Sequence, residues 1–440
     1  MRAKTRLLWL VYSIAVTGCS MFSYTNNPIN RTNSQVAKAS IEIVEPRGKF
    51  KDTLVILSLS GGGSRAAYWS AATMLALEKV FAEEGINLLQ EVDAISAVSG
   101  GTLPAAYYAI STEPDDPPET APSNRIWDEP TVKELMTRNY VLKWVGNWFW
   151  PTNMAKFWFT DYDRSDIMAQ TLADNLFDKR IIGEDLTFGE MNFHRPNIIL
   201  NATNGTSDKS EDKAQYKFGS PFTFTAEDFK QIESDINDYS ISRAVMASAA
   251  FPAAFNYMTL KDFSERDQDK YIHVFDGGNF DNLGLHSVQR VIDTSKDKFK
   301  KIIVILVDSY TDSPGIDSAE ADARGFFDYA VDLNFLDSLN SLLEVSRKRV
   351  LDIFKNNIKE LDEISTLFYH LQFADIEDKP LRKALNMIKT DFKISPENSQ
   401  YIDQAVARLI VKENPCLQAI KTILTGENGH GQPQYCQWRQ

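Results

Sequence analysis

A chain of 440 residues with 43% hydrophobic side chains is long enough for one large core and a smaller appendage. Its formal charge of −13 argues against a nucleic-acid footprint and against a broad basic surface for anionic lipid. The three cysteines form no CxxC pair and the five histidines are scattered, so no metal site is expected and no cofactor is called for.

At the N-terminus, Arg2, Lys4 and Arg6 precede an apolar stretch from Leu7 to Val16 that is too short to span a bilayer. That is the pattern of a signal peptide over residues 1–18. Val16-Thr-Gly-Cys19 resembles the bacterial lipobox. The resemblance implies cleavage before Cys19, acylation of its sulfur and new amino group, and membrane attachment through several acyl chains at ~0.8 kcal/mol per buried CH₂. Ser20, in place of an aspartate, then implies the outer membrane of a bacterial envelope, facing the periplasm or the surface. An ordinary cleaved signal with an incidental cysteine is the alternative. Residues 19–50 are mostly polar and read as a flexible tether.

Order is expected from Thr53. A strand over Thr53 to Leu59 leads to a helix from Ser64 to about Glu84, with Ala71, Met74, Leu77 and Phe81 on its apolar face and Gly85 as its stop. A second strand, Ala94 to Val98, leads to a helix from Gly100 to Ile110. This βαβα alternation predicts an α/β fold with a largely parallel sheet covered on both faces. Trp144, Trp148, Phe149, Trp150, Phe157, Trp158 and Phe159 then crowd a short stretch. Such rings either fill a core pocket or meet lipid where an apolar surface borders headgroups. Later strands are expected at Asn197 to Ala202, Ile272 to Phe275 and Ile302 to Val307. Gly61 to Gly63, Ser99, Asp276 and Asp308 all follow strand ends, where open α/β sheets bind ligands. Beyond residue 310 the pattern turns helical. Phe326 to Leu361 reads as one long or two consecutive helices packed on the core, with a membrane-lying helix as the rival, and a further helix follows Ser395-Pro-Glu-Asn398. The expected division is therefore a catalytic domain over 51–310 and a mainly helical extension over 311–440. Cys416 and Cys436 either close a C-terminal loop, worth roughly 3 kcal/mol in an oxidising compartment, or remain free thiols.

Chemistry concentrates at Ser99. The run from Asp93 to Thr102 is a short apolar stretch that ends in a serine and breaks at Gly100 and Gly101, the signature of a nucleophile elbow. Ester cleavage by a serine also needs a proton acceptor and donors for the oxyanion. Gly61, Gly62 and Gly63 can bring backbone N–H groups close to a ligand at the start of a helix. A glycine turn required only for packing is one alternative. A phosphate loop is another, but it would want Gly-Lys-Ser/Thr where this chain has Ser64-Arg65. Asp276, before Gly277 and Gly278, is the candidate base, and His286 is the alternative that an α/β-hydrolase order would require.

Four blocks resemble the patatin-like phospholipases: Gly61-Gly-Gly-Ser-Arg65, the elbow around Ser99, Ala247-Ser-Ala-Ala-Phe-Pro252 and Asp276-Gly-Gly278. The resemblance covers residues 53 to 310. It implies a three-layer α/β/α fold, a Ser99–Asp276 dyad without histidine, and an oxyanion hole at Gly61, Gly62, Gly63 and Arg65. Gly100, Gly101, Gly277 and Gly278 would support the loops, and Ser248 would be structural. The implied activity is hydrolysis of a lipid carboxylic ester, phospholipase A-like or lysophospholipase-like, with no metal; protein partners are left open. Ala97 and Ala66 stand where the family commonly has glycine. A catalytically silent envelope protein that keeps the fold to bind lipid or a partner is the competing reading.

Overall fold

The computed structural model describes residues 24–29, 38–115, 123–178, 185–207, 217–252, 254–264, 270–311, 334–361, 364–426 and 434–440. Residues 1–18 and Cys19 lie outside this set, as does the first part of the helix expected from Phe326.

Nine strands of the described residues form one mixed sheet: β1 Thr53–Leu59, β2 Ala94–Val98, β3 Asn197–Asn204, β4 Pro221–Phe224, β5 Met258–Asp262, β6 Lys270–Asp276, β7 Lys301–Asp308, β8 Ser365–Gln372 and β9 Gln434–Cys436. Hydrogen-bonded neighbours follow the path β9-β8-β7-β1-β2-β3-β6-β5, with β4 also paired to β3. From β9 to β3 every pairing is parallel, whereas β4, β5 and β6 enter antiparallel.

Helices cover both faces. In chain order those that matter here are α1 Gly63–Ala82, α2 Thr102–Ile110, α3 Tyr140–Trp148, α4 Pro151–Phe159, α5 Arg164–Leu172, α6 Ile241–Ser248, α7 Leu285–Ser295, α8 Asn334–Lys359 and α9 Pro396–Leu409. Because strand side chains alternate between faces, Val55, Leu57, Ile303 and Ile305 join one core with α1. Leu54, Ile56, Ile302 and Val304 join a second core with Val288 and Val291 of α7 and Leu351 and Phe354 of α8. Two cores separated by one sheet make the three-layer α/β/α architecture expected from the motifs.

Two expectations change. The sheet does not end near residue 310: β8 pairs with β7 from Ser365↔Lys301 to Gln372↔Asp308, so the C-terminal region builds the sheet as well as flanking it with helices. β8 is buried on both faces and so lacks the period-two pattern that would have marked it. The described parts of 19–50 are not a free tether. Ala39, Ile41 and Ile43 are buried, Ile43 N–H donates to Ser295 Oγ at 3.2 Å, and Asn27–Pro28 pairs with Ser234–Asp235. A few apolar side chains suffice to dock a mostly polar segment when grooves beside the sheet receive them. Of the two readings left open for Cys416 and Cys436, the structure has the disulfide, which ties β9 to the helix Pro415–Thr425.

Candidate active site

The topology brings two strand ends together from opposite directions. On β3, Asn201 pairs with Val98 at the end of β2, and the next residue, Ala202, pairs with Asp276 at the end of β6. β4 occupies the other edge of β3 at these same positions, so β2 and β6 share one lane and meet head to head. Asp276 stands at a strand end, as expected. It reaches the rim on an antiparallel strand, and Ser99 and Asp276 face each other across the gap.

Ser99 Oγ donates to Asp276 Oδ2 at 3.0 Å, and both residues are buried, at 9% and 5% exposure. Ser99 has φ +48°, a left-handed conformation that is uncommon for a side-chain-bearing residue and costs about 1–3 kcal/mol. The surroundings hold it there. Ser99 N–H donates to Ser248 Oγ at 2.9 Å, Ser248 Oγ donates to the Asn201 carbonyl, and Thr102 Oγ1 donates to the Ser99 carbonyl. Close approach of two backbones does the rest: a Cβ at Gly100 would lie 1.9 Å from the Gly63 carbonyl oxygen. Ala97, by contrast, sits inside β2 with its methyl in the first core, so the glycine requirement of this elbow falls after the serine.

Burial pushes the Asp276 carboxyl up to about 6, opposed by the hydrogen bonds from Gly278 N–H and Ser99. The Gly278 amide donates to Oδ1 at 2.8 Å and leaves Oδ2 for the serine. A desolvated carboxylate is a stronger base than an exposed one and is still ionised at neutral pH.

The glycine loop is divided in its hydrogen bonding. Gly61 N–H donates to the Asn282 carbonyl at 2.9 Å and Ser64 N–H to the Asp391 carbonyl at 2.7 Å. Gly62, at φ +142°, and Gly63, at φ +60°, keep amides without a hydrogen-bond partner among the described residues, and Gly63 borders the same cavity as Ser99. The candidate oxyanion donors are thus narrower than the whole loop. Arg65 departs further from its expected place: its buried guanidinium donates to the Ile388 carbonyl and to Thr390 Oγ1, and so ties segment 388–392 over the loop. Nothing in the local sequence signalled that partner.

Ser99 opens into a cavity of about 550 Å³, counted with its open mouth. Leu103, Met136, Met168, Leu172, Met246 and Phe392 supply an apolar wall, and Arg138 and Tyr140 also border it. The three methionines give an adaptable lining. His286 hydrogen-bonds neither Ser99 nor Asp276; its ring packs edge-on against Phe280 at 5.2 Å. Asp308, the fourth strand-end residue, bonds Arg347 and His370 rather than facing the cavity. No group of three or more His, Cys, Asp or Glu side chains among the described residues could hold a metal ion.

A family model described as Patatin-like phospholipase matches residues 57–288, just over half of the chain. Among solved structures the chain is similar to the human GIVD cytosolic phospholipase A2, at 12% identity and TM-score 0.44, with 84% of this chain and 60% of that chain covered. It is also similar to VipD from Legionella pneumophila, at 13% identity and TM-score 0.30, with 90% and 72% covered. The chain thus spans 60% of the length of the human phospholipase. No curated protein matches it in sequence.

Proposed function

The chain belongs to the patatin-like phospholipase family, and from that premise we propose that it hydrolyses carboxylic esters of lipids, with Ser99 as nucleophile and Asp276 as its base. The observation that carries this reading is the 3.0 Å hydrogen bond from a strained, buried serine hydroxyl to a buried carboxylate beside unpartnered glycine amides. Ser99 Oγ attacks the ester carbonyl carbon as its proton passes to Asp276 Oδ2, and the carbonyl oxygen becomes an oxyanion. The amides of Gly62 and Gly63 stabilise that charge, each donor being worth up to ~3 kcal/mol. Collapse breaks the ester C–O bond, and Asp276 returns the proton to the departing alcohol oxygen. Water then gives a proton to Asp276 and its oxygen to the acyl carbon; the bond to Ser99 Oγ breaks, the serine is reprotonated and the fatty acid leaves.

The apolar cavity suits an acyl chain, which supports a lipid substrate over a polar ester. The test is labelling by a fluorophosphonate probe: wild type is labelled and Ser99→Ala is not. A folded wild type that resists the probe and turns over no lipid ester points instead to the silent lipid-binding or partner-binding protein. We extend the proposal to the N-terminus: acylated Cys19 holds the enzyme on a bacterial envelope membrane. Wild-type protein is expected to incorporate radiolabelled palmitate and to pellet with membranes, and retention of both by Cys19→Ala would refute the anchor.

A further inference from the structure

The aromatic stretch, expected either in a core pocket or against lipid, has its inner rings packed and its outer rings exposed. α3 and α4 form a hairpin next to the cavity: Arg138 and Tyr140, at its start, border the cavity that holds Ser99. From there a continuous aromatic row runs outward. Phe392 on the cavity wall packs on Phe255, Phe255 on Trp144, Trp144 on Trp148, Trp148 on Phe157 and Phe157 on Trp158, with centroid separations between 5.0 and 5.8 Å. The inner rings are partly buried. The outer ones are open: Phe149 is 69% exposed, Trp150 61%, Trp158 71% and Phe159 85%.

Of the eighteen exposed large hydrophobic side chains among the described residues, seven lie within 142–159, so this is one patch and not scattered exposure. Its charge is as distinctive. Residues 142–160 hold Lys143 and Lys156 and no acidic side chain, in a chain whose net charge is −13, whereas Arg138, before the hairpin, is paired with Glu134 at 2.8 Å. Tryptophans and phenylalanines at an apolar tip with basic side chains beside them match the boundary between headgroups and acyl chains of an anionic lipid surface. No helix among the described residues is long and apolar enough to cross a membrane.

We propose that the α3–α4 hairpin is an interfacial docking surface that inserts its exposed aromatic tip into an anionic lipid layer and turns the mouth of the Ser99 cavity toward the ester it cleaves. The use of the docked state rests on the hydrolase reading; docking itself does not. The experiment uses the full chain carrying Cys19→Ser, so that no acyl anchor contributes, mixed with vesicles of phosphatidylglycerol and phosphatidylcholine or of phosphatidylcholine alone. Co-sedimentation with the anionic vesicles is expected, weakened by salt, together with slowed amide exchange over residues 140–160. Adding W150S, W158S and F159S is expected to weaken binding at least tenfold while hydrolysis of a soluble short-chain ester stays at the parent level. Parent-level binding in that variant, or exchange protection that spares 140–160, overturns the proposal. So does protection of the hairpin that depends on protein concentration without vesicles, which would assign the patch to a second copy. If neither protein hydrolyses the soluble ester yet the vesicle result holds, the hydrolase reading fails and the docking surface stands.

Discussion

At the scale of single residues, Asp276 carries a cost that its proposed role requires. A carboxyl whose folded value is raised to about 6 contributes stability that is complete below its unfolded value near ~3.9 and is lost as pH rises through about 6. Asp276→Asn keeps an acceptor for Gly278 N–H and a donor toward Ser99 Oγ without the buried charge. The variant is expected to lose lipid esterase activity while gaining on the order of 2 kcal/mol of stability at pH 8, a gain that vanishes below pH 4. Urea unfolding at the two pH values measures this. The wild-type rate is correspondingly expected to rise with pH through about 6, as the carboxylate becomes free to accept the proton. Ser99, Asp276 and the glycine run were legible in the sequence because each needs an unusual local pattern. Arg65 was not: its chain neighbours are those of an oxyanion loop, but its guanidinium binds Ile388 and Thr390, more than 300 positions away.

Elements show where local pattern sufficed. β1 and β2 have the expected bounds, and α1 begins and ends within two residues of them, because Gly62 opens it and Gly85, at φ +74°, lets the chain turn after it. The expected helix from Gly100 opens instead with a tight 3₁₀ turn over Ser99–Gly101 before α2. That turn is where the elbow and the glycine loop touch. Gly100→Ala would drive a methyl into the Gly63 carbonyl, and backbone cannot yield as a side-chain end can. The expected result is a loss of about 10²-fold or more in kcat with a stability cost of about 1–3 kcal/mol, read from ester turnover and a thermal melt. Gly85→Ala, with nothing within 4 Å of its Cβ position, keeps full turnover and shows only the cost of its positive φ.

For the whole molecule, the C-terminal region matters through the sheet. Arg347 on α8 and His370 on β8 both bond Asp308 at the end of β7, which locks the second helical layer onto the strands beside the glycine loop. Burial pushes the Asp308 carboxyl up, but Arg347 and His370 outweigh it and hold the group well below the ordinary range. Its contribution is therefore present above about pH 4 and is lost as pH falls toward the folded value. Arg347→Met leaves a buried carboxylate without its main partner and is expected to cost about 3–5 kcal/mol at pH 7. The gap from wild type should close as pH falls below 4, with chemical denaturation as the measurement. Ser309 N–H donates to Ser60 Oγ and Ser309 Oγ to the Gly61 carbonyl, so loosening this junction is also expected to slow turnover.

By itself, the amino-acid order determined what depends on near neighbours. Alternation of strands and helices, a serine between a strand and two glycines, and a carboxylate before two more glycines are all written within a dozen positions, because backbone conformation answers to adjacent residues. Tertiary structure alone decided that β6 runs against β3 and meets β2 end to end, that β8 and β9 complete the sheet, and that segment 388–392 covers the glycine loop. β8 is buried on both faces and leaves no period to read, and the partners in these contacts, from Ser365 and Lys301 to Arg65 and Ile388, lie far beyond the reach of any local pattern.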